Sequence, residues 1–145
     1  MYFVDRNEIE ETLNYMDGLL QELGKQSFES FREKLLLERI TQMMIESILD
    51  VGNLMIDGFI MRDPGSYEDI IDILVDEKVL PTDEQEGYKA LIRLRTMLVK
   101  EYLTIDHEKI LLTLNENKHA FDLFSKRITT YLDNELGVAN AFSNE

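Results

Sequence analysis

Glu38 to Asp57 reads ERITQMMIESILDVGNLMID. Its apolar residues fall at threes and fours, the spacing that stacks side chains along one side of an α-helix. The same stripe extends to Leu35, Ile40, Met44, Ile48, Val51, Met55 and Phe59, and a neighbouring stripe holds Leu36, Met43 and Leu54. This predicts one long helix from about Phe28 to Ile60. So wide an apolar arc predicts burial on two sides, against the rest of a bundle and against a second subunit. Met43, Met44, Met55 and Met61 read as core filling rather than as an adaptable binding surface.

The same periodicity continues on both sides. Asp5 with Glu8 three residues on is a helix-start signal, followed by Ile9, Leu13, Met16, Leu20 and Leu23, with Gly24 as a stop. Asp63-Pro64-Gly65 is a break. Ser66 then caps a short helix whose apolar side is Ile70, Ile71 and Leu74. Pro81 marks a second break, and Thr82 with Gln85 has capping-box spacing. A fourth helix runs from about Asp83 into the stretch RTMLVKEY at 95–102. Thr104 or Asp106 caps a last helix, striped by Ile110, Leu114, Phe121, Phe124, Ile128 and Tyr131. No β-type alternation, phosphate-binding glycine loop or internal repeat appears. The expectation is an all-α chain: an antiparallel helical bundle with a long second helix. One domain spans 1–136, and a loose tail spans 137–145.

The chain has 145 residues, no cysteine and a formal charge of −14. The length suits one domain with a sizeable core. Without cysteine there is no disulfide framework and no thiolate zinc site. The first residues turn polar too early for a signal peptide, and Glu46, Asp50 and Asp57 interrupt the longest apolar run, so a cytoplasmic chain with no membrane span is expected. The acidic balance disfavours broad electrostatic binding to nucleic acid, so any RNA contact must use a local basic patch.

Such a patch exists. Between Glu86 and Glu101 there is no acid, and the interval carries Lys89, Arg93, Arg95 and Lys100. On an ideal helix Arg95 and Tyr102 face nearly the same way, whereas Lys100 points about 140° round from Arg95. A site using both Arg95 and Lys100 then needs a distorted helix end or a second copy across a two-fold axis. The plain alternative is a solvated basic face at a helix C-terminus, where cations suit the macrodipole. Glu46 and Asp50 share a helix face and read as polar residues bonding a neighbouring helix or lining a groove. His107 and His119 have no ligand neighbours at metal-binding spacing and read as solvent-facing, so no metal site is expected.

Three stretches together carry a resemblance: ERITQMMIESILDVGNLMID at 38–57, PGSYEDIIDILVDEKVLP at 64–81, and LIRLRTMLVKEY at 91–102. They resemble the HepT-like family of the HEPN superfamily, over most of the chain from the first helix through Tyr131. The resemblance implies a dimeric HEPN-type helical bundle. Active members are metal-independent RNA endonuclease toxins with no cofactor. Their signature is Arg, Asn, any residue, two aliphatic residues, His, any residue, Tyr. Arg95, Leu98, Val99 and Tyr102 match it; Thr96 replaces the Asn and Lys100 replaces the His.

By this resemblance Arg95 and Lys100 are the catalytic candidates, and Lys89 and Arg93 contact the substrate. Tyr102 is the acceptor of AMP from a minimal nucleotidyltransferase antitoxin. Metal-free cleavage needs proton transfer from the ribose 2′-OH and a cation on the crowded phosphate. Arginine suits the second task. A histidine near pKa 6.5 suits the first, whereas an ordinary lysine, near 10.4, is a poor base at pH 7. Two functions therefore stand side by side: an RNA endonuclease toxin weakened by Lys100, and an inert HEPN dimer that binds RNA or a nucleotidyltransferase. A purely structural helical dimer is a third, disfavoured by Arg95 and Tyr102.

Overall fold

The computed structural model describes residues 2–25 and 27–143, with side chains described as far as Gly137. Among the described residues every regular element is helical, and no strand occurs. The elements are α1 (Arg6–Lys25), α2 (Phe31–Gly58), α3 (Tyr67–Asp76), α4 (Gln85–Arg93), α5 (Arg95–Lys100), α6 (His107–Glu116), α7 (Lys118–Asp122) and α8 (Phe124–Ser143). Two single 3₁₀ turns, Thr82–Glu84 and Tyr102–Thr104, lie before α4 and after α5. The long second helix is α2, packed against α1, α3, α5 and α6.

Helix starts follow the sequence closely. Asp5 accepts from the Glu8 amide at 3.1 Å. Ser30 and Glu33 form a reciprocal capping box, so α2 begins three residues later than its apolar stripe suggests. Ser66 accepts from the Asp69 amide, and Asp106 rather than Thr104 caps α6 through the Lys109 amide. At Thr82 the expected capping box does not form. Pro81 leads instead into a 3₁₀ turn without a side-chain cap.

Two of these caps set an acid limit on stability. The Ser30 backbone amide first, then the Ser27 and Ser30 hydroxyls, hold the Glu33 carboxyl down at about 2 from its ordinary 4.5. Arg62, with the Gly65 amide, holds Asp69 at about 2 from 3.8. A carboxyl whose folded pKa is lowered contributes stability that is present above its unfolded value and is lost as pH falls through the folded one. Thermal melts are therefore expected to weaken from about pH 4.5 down to about pH 2, and Glu33→Gln with Asp69→Asn to flatten that slope. An unchanged slope in the double variant would contradict the assignment.

The core is continuous. Ile9, Leu13 and Met16 of α1 meet Leu37, Ile40, Met44, Ile48 and Met55 of α2, all essentially without solvent exposure. Each such side chain contributes about 1.5–3 kcal/mol on burial. Gly52 lets α3 approach closely, since a Cβ there would stand 2.4 Å from the Ile70 Cγ2. Tyr88 is buried and donates to the Ala120 carbonyl at 2.6 Å, tying α4 to α7.

The wide arc of α2 is thus covered within one chain. Of its expected stripe only Leu35 remains exposed, together with Phe31 at the helix start. The methionines mostly fill the core, with Met16, Met44 and Met55 fully buried. His107 departs from expectation: it is half-buried and bonds Glu38 at 2.7 Å, because α6 packs on α2, whereas His119 is exposed.

Two further helices expected to be continuous are broken. Leu94 separates α4 from α5 through a Leu94-to-Leu91 bond of 3.0 Å, and Asn117 and Leu123 divide the last helix into α6, α7 and α8. The backbone of α8 passes Gly137 as helix to Ser143. The expected loose stretch 137–145 otherwise falls on side chains and terminal residues outside those described.

α2 and α3 end alike. The Met61 amide bonds the Ile56 carbonyl, and the Val79 amide bonds the Leu74 carbonyl, each wrapping around a left-handed residue. Those residues are Ile60 at φ 57° and Lys78 at φ 62°, where glycine is the unstrained choice. A side chain in this conformation costs about 1–2 kcal/mol. Ile60 is β-branched and 70% exposed, so it loses little packing on removal. Ile60→Gly is expected to raise the melting temperature by about 2–4 °C; a lower one would show that the Ile60 side chain stabilises through contacts.

Candidate RNA-binding cavity on α5

α5 presents a cavity of about 340 Å³ toward the start of α3. Arg95, Thr96, Val99 and Lys100 of α5 line it, with Ile92 and Arg93 from α4 and Ser66, Tyr67 and Glu68 from the other side. Arg95 and Lys100 therefore border one cavity in a single chain. The expected need for a distorted helix or a second copy is corrected: Val99 and Thr96 fill the arc between the two cations, and the cavity reaches across it.

Arg95 is held from two directions. Its Nε donates to Glu46 Oε1 of α2 at 2.7 Å, and its guanidinium carbon lies 4.7 Å from the centre of the Tyr67 ring. The Glu46 bond, with burial opposing it, raises an already high arginine pKa. Among the described residues neither terminal guanidinium nitrogen of Arg95 has a hydrogen-bond partner. Those are the two donors that pair with a phosphate in fork geometry. Asp50, one turn beyond Glu46, is raised above the ordinary aspartate value by burial and by the Glu46 charge.

The remaining candidates are distributed unevenly. Arg93 lines the cavity and pairs with Glu68 at 2.9 Å and, more loosely, with Glu86 at 3.6 Å. Lys89 bonds Asp72 of α3 at 3.0 Å and does not line the cavity. Lys100 lines it, is exposed, and makes no ion pair among the described residues. Tyr102 stands on the 3₁₀ turn beyond α5 and is 65% exposed, outside the lining. The basic interval is therefore not a bare basic patch, because acids of α2, α3 and α4 meet three of its four cations. Among the described residues no group of three or more His, Asp or Glu stands together as a metal site would require.

Sequence reading placed Glu46 on a helix face toward a neighbour, and its partner proves to be Arg95. Tyr67, Glu68 and Asp72 were not singled out. The only local hint was Ser66, which fixes the start of α3 and so the position of Tyr67.

The chain belongs to the Ribonuclease HepT-like family, whose model matches residues 9–128. It is 48% identical over 143 residues to YutE of Bacillus subtilis (strain 168), whose name proposes an RNase; the match covers 98% of this chain and 99% of YutE. The solved structure of YutE, described as a cytosolic protein of unknown function, superposes with a TM-score of 0.92 over 94% of this chain and 96% of that one. A Shewanella oneidensis HEPN toxin, tri-AMPylated and in complex with an MNT antitoxin, superposes at TM-score 0.70 with 18% identity, over 86% of this chain and 95% of that one. A toxin–antitoxin crystal structure with AMP-PNP gives 0.71 with 16% identity, over 85% and 96%. These two similarities establish the HEPN-type fold. Among the described residues no helix is long and apolar enough to cross a membrane.

Proposed function

We propose that the chain is a metal-independent RNA endonuclease of the toxin type, acting at the α5 cavity. The observation that carries this reading is Arg95, fixed at Nε by Glu46 and over Tyr67, with both terminal nitrogens open beside Lys100. A preorganised fork of this kind stabilises the charge that builds on phosphate as the ribose 2′-OH attacks. The 2′-OH gives its proton to a water molecule, its oxygen bonds phosphorus, the bond to the 5′ oxygen breaks, and the leaving oxygen takes a proton. The products are a 2′,3′-cyclic phosphate and a 5′-OH. Lys100 adds charge at the phosphate and donates the proton to the leaving oxygen. Without a histidine the base is weak, so turnover is slow.

Assembly and control follow from the same face. A two-fold dimer joins the chains near α5, where Leu103 is 87% exposed beside Tyr102. Tyr102 is open to a nucleotidyltransferase antitoxin. Its phenolic oxygen attacks the α-phosphorus of ATP, pyrophosphate leaves, and the attached AMP places negative charge beside the RNA site.

The test is incubation of single-stranded RNA with the purified chain in EDTA. Cleavage leaving cyclic-phosphate ends is expected. A second reading, an inert RNA binder, is favoured by the absence of an imidazole from the cavity, and it takes over when RNA binds without being cut. No binding would reject both. Mass spectrometry after incubation with ATP and a cognate nucleotidyltransferase is expected to show AMP on Tyr102.

A further inference from the structure

A second cavity, of about 430 Å³, lies at the far end of α3, between the turn at 78–82 and one face of α8. Its only charged lining residues are three cations, Lys78, Lys126 and Arg127, in a chain whose net charge is −14. Arg127 is held by Glu84 at 2.8 Å, but Lys78 and Lys126 make no ion pair among the described residues. Thr82 and Thr130 add hydroxyls to the lining, and Leu80, Pro81 and Tyr131 give it an apolar wall. Glu77 and Glu135 are close enough to help push the Tyr131 hydroxyl up to about 12, mainly a result of burial, yet neither lines the cavity.

The plain account of Lys78 is a cation at the C-terminus of α3, where the helix dipole welcomes one. That account leaves two things over. Lys126 sits in the first turn of α8, the helix end where the dipole disfavours a cation. Lys78 also occupies a left-handed position that glycine would fill without strain. Two free ammonium groups with hydroxyls beside them match the three acceptor oxygens of a phosphate. The volume falls in the small-molecule range, and an apolar wall beside convergent polar groups is the usual form of such a site.

We propose that this cavity binds a nucleoside monophosphate group, with its phosphate on Lys78 and Lys126 and its base against Tyr131 and Pro81. The group comes from a free nucleotide or from the 5′ end of an RNA strand. This site is separate from the α5 cavity and does not depend on the nuclease reading.

The experiment is calorimetric titration of the whole chain with AMP, adenosine, and a 5′-phosphorylated tetranucleotide bearing 2′-O-methyl riboses, which cannot be cleaved. Wild type is expected to bind AMP saturably below about 1 mM, and adenosine at least tenfold more weakly. Lys126→Glu is expected to weaken AMP at least tenfold, whereas Lys109→Glu, on α6, and Lys100→Ala, at the other cavity, leave it unchanged. Lys78→Gly is expected to weaken binding without lowering the melting temperature, since it removes the ammonium and relieves the backbone together. Binding of the tetranucleotide that is tighter than that of AMP and is lost in Lys126→Glu assigns the ligand to RNA ends; tighter binding of AMP assigns it to free nucleotide. Absence of saturable binding to either phosphate ligand, adenosine binding as tightly as AMP, or equal losses in Lys126→Glu and Lys109→Glu would overturn the proposal.

Discussion

Arg95→Ala is expected to reduce RNA cleavage in EDTA by about 10²–10³-fold, the loss seen when one preorganised donor to a developing oxyanion is removed. The effect is expected in kcat more than in KM. The guanidinium is fixed before substrate arrives, by Glu46 at Nε and by the Tyr67 ring, so its benefit falls mainly on the transition state. Arg95→Lys should recover little, because an ammonium offers neither the fork nor the planar face that stacks on Tyr67. Glu46→Gln is the finer probe. It keeps a hydrogen-bond acceptor near Nε while removing a competing charge. Full cleavage by Arg95→Ala would remove the α5 cavity as the catalytic site.

Lys100→His is expected to raise metal-independent cleavage by at least about tenfold, the low end of what a positioned general base supplies. An imidazole titrating near 6.5 takes the 2′-OH proton at neutral pH, which an ammonium cannot do. The exposed position and lack of an ion-pair partner let the new ring turn freely toward substrate. The gain should appear with a pH profile that rises from about 5.5 to 7.5, absent from the wild-type chain. If wild type and Lys100→His both bind RNA and neither cuts it, the inert reading stands, since Arg95 is present in both.

The fold was legible because its signals are local. Asp5, Ser66 and Asp106 cap helices through amides three residues on, and the apolar stripes repeat within single helices. What escaped was set by packing at a distance. Leu94 and Leu123 interrupt helices with neither proline nor glycine present, so nothing in the sequence announces them. The chemistry divides the same way. Arg95, Thr96, Val99 and Lys100 come from one short segment and could be read in order. Glu46 and Tyr67, which fix the guanidinium, arrive from α2 and α3 and share no spacing with it. His107 was misjudged for the same reason, its partner Glu38 lying on another helix.

The pairing of Lys89, Arg93 and Arg95 with Asp72, Glu68 and Glu46 has a thermodynamic side. A bare cluster of cations gains much of its affinity for nucleic acid by expelling the mobile ions that nucleic acid condenses around itself, a gain shared by every sequence and by duplex as well as single strand. A cavity whose two arginines already carry acidic partners, with Lys100 alone unpaired among the described residues, gains less in that way. The chain's overall negative field keeps polyanions at a distance. On the proposed reading, recognition is left to short-range fit, with one phosphate in the Arg95 fork and a neighbouring group beside Tyr67. A nuclease of the proposed kind, so built, would coexist with a large excess of cellular RNA and engage only strands that present an unpaired, reachable linkage.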